Sequence, residues 1–214
     1  NTYLPVGGWR GVHTPQNGVY LECFTDEMAH AARRDPLEFR TSLMKGHLLH
    51  QAVLIAAATR AEWGTPHPDG LTRGLAQMMA VGSVAAAVAE VAVSEDGDVR
   101  VARVVVALDC GTVVNPRLVE AQVQGSVTMA TSATLGEEIT IKGGRVVETD
   151  FDTYPVLRLA DAPVVETVLV PSGEFWGGVG EAAMGCVAPA ILNAVFAATG
   201  KRIRTLPVRK VKRK

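Results

Sequence analysis

The stretch "LAQMMAVGSVAAAVAEVAV", residues 75–93, limits what this chain can become more than any other. It approaches the length of a membrane-spanning helix, which needs about 20 apolar residues. Gln77, Ser83 and Glu90 interrupt it, alanine and valine rather than leucine build it, and it runs into a turn sequence, "SEDGD". A pair of buried strands satisfies these features better than a span does.

The flanking sequence reads as blocks of helix and strand. "NTYLPVGGWRGVHTPQN" is rich in Gly, Pro and polar residues, has no sustained period, and is expected to be loop. Apolar residues at helical spacing run over 19–32, and Asp35-Pro36 ends that helix, because the residue before proline is pushed out of the α region. Asp35 can cap a second helix through Met44, with Pro36 at its first position. "LLHQAVLIAAATRAEW" repeats the helical pattern and stops at Gly64.

From Ala85 the period becomes that of strands, and "AVAEVAVSEDGDVRVARVVVALDCG" predicts a hairpin turning at Asp96-Gly97. A loop, "TVVNP", precedes a helix, "RLVEAQVQGSVTMATSATL". "EEITIKGGRVVETDF" predicts a second hairpin with Gly143-Gly144 at its turn, and "PVVETVLVP" another strand. A last helix over 188–199 is closed by Gly200, where a left-handed C-terminal residue belongs. Strands and helices mix without strict βαβ alternation, so the predicted class is α+β, with mixed sheets and helices.

With 214 residues, 48% of them hydrophobic, the chain can bury a sizeable core. A net charge of −1 gives no sign of nucleic acid as a partner. The basic end over 202–214 lacks interleaved aromatics and reads as a solvated tail. Cys23, Cys110 and Cys186 lie far apart in no zinc-binding spacing and are expected to be free thiols. That usage fits the cytoplasm, or the periplasm for a complex exported already folded. His47 and His50 share a helix face at i, i+3 without a third ligand nearby in sequence, so no metal site is predicted. There is no P-loop, GxSxG or dinucleotide-binding GxGxxG pattern.

Three loops can carry chemistry. "GGVGEAAMG" places one carboxylate, Glu181, among glycines and small apolar residues. Glycine permits positive φ and close approach of other atoms, and a poorly solvated carboxylate can act as a general base. On these residues alone, the more ordinary reading is that Glu181 caps the following helix or faces water. In "WRGVHTPQN", Arg10 can donate two parallel hydrogen bonds to an anion, and Gly11 permits close approach. "DCGTVVNP" turns the chain at Gly111 and again at Asn115-Pro116, as an ordinary strand-to-helix connection would.

Taken in order, "WRGVHTPQN", "ECFTDEMAHAARRDPLEFR", "DCGTVVNPRLVEAQVQGSV", "YPVLR" and "GGVGEAAMGCVAPAILNAVFAATGKRIRTLPV" span nearly the whole chain. The series resembles the C-terminal part of the molybdenum-binding large subunit of the xanthine oxidase family, in its isoquinoline 1-oxidoreductase β-subunit and aldehyde dehydrogenase branch. The resemblance implies that residues 1–74 form a cofactor-lining loop and helical segment. Residues 75–214 would form an α+β molybdopterin-binding segment that carries the glutamate loop, the two together being a fragment of a larger subunit.

The implied enzyme oxidises an aldehyde or an N-heteroaromatic carbon with water as the oxygen source. Its implied cofactors are molybdopterin cytosine dinucleotide and 2Fe-2S clusters on a partner. Glu181 stands where the family has its general base. Arg10, Gly11, Gln122, Gly178 and Gly180 fall on cofactor-lining positions. Val12 falls on the substrate pocket, where the purine-oxidising branch has an aromatic residue two positions after the arginine, which favours an aldehyde or a differently held heteroaromatic. The remainder of the molybdenum-binding subunit and a small two-cluster iron–sulfur subunit are the implied partners, beside a small-molecule substrate. A non-catalytic fragment that keeps the fold and binds partner subunits is the alternative.

Overall fold

The computed structural model describes residues 7–208, 210 and 211. Three helices come first: α1 (Thr14–Ala31), α2 (Pro36–Leu43) and α3 (Leu48–Arg60). α1 starts inside the segment expected to be loop. Pro15 sits in its first turn, where a missing N–H leaves no bond unmade, and the Thr14 hydroxyl donates to the Gly11 carbonyl at 2.8 Å. Asp35 caps α2 as its sequence suggests, accepting from the Leu37 and Glu38 amides.

β1 (Thr72–Ala80), β2 (Ser83–Val93) and β3 (Val99–Asp109) follow as an antiparallel meander. The helical and the α+β segments thus share β1, which runs across residue 74. The 75–93 run is two paired strands, joined by a two-residue turn at Val81 (φ 48°) and Gly82 (φ 79°), the backbone twist that tight hairpins favour. The second hairpin turns at Gly97, as expected.

Next come α4 (Pro116–Leu135), capped by Asn115, and two-residue strands β4 (Ile141–Lys142) and β5 (Arg145–Val146) around the Gly143-Gly144 turn. After a 3-10 turn at Leu159–Asp161, β6 (Val164–Leu169) returns parallel to β3, giving one mixed sheet in the order β1-β2-β3-β6.

α5 (Met184–Thr199) starts four residues before the expected position, because the helix passes through Pro189 instead of beginning near it. It ends at Gly200 with φ 69°. Alternate residues of β2 point to opposite layers: Ala85, Ala87 and Ala89 pack with α4 and α5, and Val84, Ala86 and Val88 with α3. A sheet covered on both faces requires strands that are apolar throughout, which is the property that made 75–93 look like a span. Among the described residues no helix is long and apolar enough to cross a membrane.

The three cysteines are free. Arg209 and residues 212–214 of the basic end lie outside the described residues. The basic end is anchored and not a free tail: the Val208 and Val211 amides donate to the Thr134 and Gly97 carbonyls and both valines join the core, while Arg204 and Lys210 stay exposed.

Candidate functional site

The glycine loop between β6 and α5 is held by its backbone. The Gly177 amide donates to the Cys110 carbonyl at 2.9 Å, and the Gly178 amide to the Val81 carbonyl at 2.8 Å. The loop therefore lies across the end of β3 and the β1–β2 turn. A β-carbon on Gly178 would stand 2.9 Å from Val81 Cγ2, so glycine is needed there for contact with the protein's own chain. Gly180 differs. Nothing comes nearer to its missing β-carbon than Gln122 Oε1 at 3.8 Å, which leaves its surface open.

Arg10 closes the other side. Its Nε donates to the Gly180 carbonyl at 2.6 Å, and its Nη2 donates to the Gln122 carbonyl and to Gln122 Oε1 at 3.1 and 2.9 Å. Burial pulls the Arg10 pKa down from its ordinary value, and the Glu181 charge opposes that shift. Gly11 (φ 89°) and Val12 (φ 50°) bend the chain between Arg10 and α1. A β-carbon on Gly11 would stand 3.0 Å from Pro15 Cγ and 3.1 Å from Met184 Cβ. Val12 is 63% exposed.

Glu181 is half-buried, and its carboxylate makes no hydrogen bond within the described residues. It does not cap the following helix, since Ala183 is the N-cap of α5 and no side chain bonds there. Earlier in the same loop the Phe175 and Trp176 rings stack at 4.5 Å and are largely exposed.

Two contributors escaped sequence reasoning. Ser126 Oγ donates to the Gly180 carbonyl at 3.3 Å, and a β-carbon on Gly125 would stand 3.0 Å from Arg10 Nη1. The signal was present in "QVQGS": Gln122, Gly125 and Ser126 are spaced i, i+3, i+4 and share one face of α4. "DCGTVVNP" is architectural, with Asp109 Oδ1 accepting from the Gly111 amide at 2.6 Å and Asn115 from the Leu118 amide at 3.2 Å. The His47 and His50 rings stand edge to face, 5.9 Å apart. An apolar groove of about 300 Å³ opens between α1 and α5, lined by Trp9, Val19, Met184 and Leu192, but Glu181, Gln122 and Gly180 do not line it.

The residues left with unspent polar groups test whether a large ligand fits. Arg10 spends Nε and Nη2 on protein oxygens, whereas the Gln122 side-chain NH2 and the Glu181 carboxylate have no hydrogen-bond partner among the described residues. Open glycine surface beside one free donor and one free acceptor suits a planar heterocyclic cofactor. The mixed sheet layered between helices carries this wall at its edge.

The chain belongs to the molybdopterin cofactor-binding domain family, whose model matches residues 24–163. Gln122 falls inside that match, and Arg10 and Glu181 outside it. The chain is 34% identical to the membrane-bound aldehyde dehydrogenase (pyrroloquinoline-quinone) of Gluconacetobacter polyoxogenes, over 97% of this chain and 29% of that protein. It is 30% identical to isoquinoline 1-oxidoreductase subunit beta of Brevundimonas diminuta, over 94% and 26%. Among solved structures, quinoline 2-oxidoreductase from Pseudomonas putida 86 aligns with 58% of this chain and 17% of its own, at a TM-score of 0.53 and 28% identity. The chain thus spans less than a third of the length of these relatives. The resemblance read from its loops and the α+β class are both borne out.

Proposed function

We propose that this chain forms one wall of the active site of a molybdenum hydroxylase that oxidises an aldehyde or an N-heteroaromatic carbon with water as the oxygen source. The single observation that carries the reading is the Glu181 carboxylate, which is unspent on any hydrogen bond while the loop beneath it is pinned by Gly177 and Gly178. A scaffold has no use for such an acid, whereas a general base needs a free lone pair held still.

Molybdopterin, once bound, supplies the metal that takes two electrons from the substrate carbon. Gln122 would hold it through the side-chain NH2 group, with the open surface of Gly180 lining it, Gly11 and Gly178 shaping the two loops from within, and Arg10 backing that wall. Glu181 accepts the proton released as water oxygen is delivered, on a carboxylate oxygen that no protein donor occupies. Val12, exposed beside Arg10, lines the substrate side without stacking on a flat ring. Molybdopterin is favoured over the quinone in the Gluconacetobacter relative's name because the matched family is named for it.

The cytosine dinucleotide form, 2Fe-2S clusters on a small partner subunit, and the remainder of the molybdenum-binding subunit complete the proposal. Three free cysteines support folding in a reducing compartment, the cytoplasm, with export of a folded complex to the periplasm as the variant. The test is Glu181→Gln in the purified native assembly. Molybdenum content should stay at the wild-type level while turnover falls roughly 10²- to 10⁴-fold. Turnover within about threefold of wild type would end the assignment.

A further inference from the structure

We infer that Arg10 is a positioning residue: its guanidinium fixes the carbonyl of Gly180 and the amide of Gln122, so that Glu181 presents its carboxylate and Gln122 its NH2 group to the bound cofactor. The part concerning the cofactor rests on the function proposed above; the lock itself does not.

The geometry carries the inference. Arg10 and Gly180 are 170 positions apart, yet Nε reaches the Gly180 carbonyl at 2.6 Å. From the same planar fork, Nη2 reaches both oxygens of Gln122. Arginine alone can serve two such acceptors at once, because its donors are held in a rigid plane; a lysine ammonium is a point donor. α4 is cut to fit. Gly125 leaves room for Nη1, and Ser126 Oγ gives the Gly180 carbonyl a second donor.

Two consequences follow from the donors and acceptors involved. A carboxamide can be turned either way, and a neighbouring donor decides which end faces where. Arg10 claims Oε1 of Gln122, which leaves the two N–H donors as the unpaired groups of that side chain. The Gly180 carbonyl directly precedes the Glu181 amide, so fixing that peptide fixes the direction from which the Glu181 side chain departs. The three bonds from Nε and Nη2 all go to protein oxygens, as a positioning role requires.

The experiment uses the purified native assembly with Arg10→Met, Arg10→Lys and Gln122→Glu. Hydrogen exchange is read at the three bonded amides around the loop, Gly177, Gly178 and Met184, beside molybdenum content, kcat and KM. Arg10→Met should speed exchange at those amides about tenfold or more without changing it in the body of α5. It should lower kcat with KM held within about threefold, and Arg10→Lys should restore part of that loss. Gln122→Glu keeps an acceptor for Arg10 and removes the unpaired donor, so loop exchange should stay within about twofold while molybdenum content falls.

Unchanged exchange in Arg10→Met overturns the inference, as does an equal rise in Gln122→Glu. Should Arg10→Met fail to accumulate, Arg10→Lys decides, with a rise of less than about threefold counting against the lock. A failed general-base reading would show in Glu181→Gln and leave these exchange results standing.

Discussion

Gly18 of α1 and Gly185 of α5 meet where the two helices cross, and a β-carbon on Gly18 would overlap the Gly185 carbonyl oxygen. That carbonyl lies four residues before Pro189, which has no N–H to offer it. The crossing brings the start of α1, and with it the Arg10 loop, against the start of α5, and with it the Glu181 loop.

Gly18→Ala should therefore act on stability and on the site together. Forcing a methyl group against backbone costs about 1–3 kcal/mol or more, which lowers the melting temperature of a chain this size by roughly 3–10 °C. Differential scanning fluorimetry of the native assembly reads it. A melting point within a degree of wild type would show that α1 is free to shift.

Glu90 is the centre of a charged row laid across the sheet. It is 2% exposed, and its Oε1 accepts from Arg73 Nε at 2.9 Å and from Arg103 Nη1 at 3.1 Å. All three residues stand in one register line across β1, β2 and β3. Arg73 also donates to the Glu62 and Thr65 carbonyls, which fastens the end of α3 to the sheet. Glu90→Gln leaves the largely buried Arg73 guanidinium without its counter-charge, while Arg103 keeps Glu166; breaking a buried pair of this kind costs about 3–5 kcal/mol. Thermal melting should show a drop larger than that of Gly18→Ala, and protease cleavage should begin between Arg60 and Leu71.

The strands and caps were legible because their signals are local. Ala–Val runs, Asp96-Gly97, Asp35-Pro36 and Asn115-Pro116 each settle their own few residues, and Gly200 ends α5 for the same reason. Helix starts were less legible. Pro15 occupies the first turn of a helix in a segment expected to be loop, and Pro189 sits inside a helix expected to start at 188, which gives up a bond at Gly185. Glu181 stood out in sequence as a lone acid, but its relation to Arg10 did not. No period connects residues 170 positions apart, so the bond between Arg10 and Gly180 appears only once α1, α4 and α5 are packed.

Acid should weaken the far edge of the sheet first. Hydrogen bonding from Arg103, and from Arg60, holds the Glu166 pKa below its ordinary value of 4.5. A depressed folded-state pKa adds stability that is complete above the unfolded value and is lost as pH falls through the folded one. The window therefore lies below about pH 4.5. Urea midpoints of wild type and Glu166→Gln should differ most near pH 6 and converge as pH drops through 4. A constant gap down to pH 3 would mean that the Glu166 charge does not matter.

The three thiols should be inert in the folded protein. Burial pushes Cys23 up to about 12, with the Asp26 charge adding to it, and burial also raises Cys110 and Cys186. The thiolate is the reactive species, so at pH 8 a thiol with a pKa near 12 reacts roughly 10³-fold more slowly than an ordinary one. Iodoacetamide at pH 8 should leave Cys23 unmodified over hours and alkylate all three cysteines in guanidinium chloride, as read by peptide mass spectrometry. Rapid labelling of Cys23 in the native assembly would show that α1 opens. Because Cys23 lies on the helix that the Arg10 loop leads into, the same opening should speed in Arg10→Met only if loop and helix move as one.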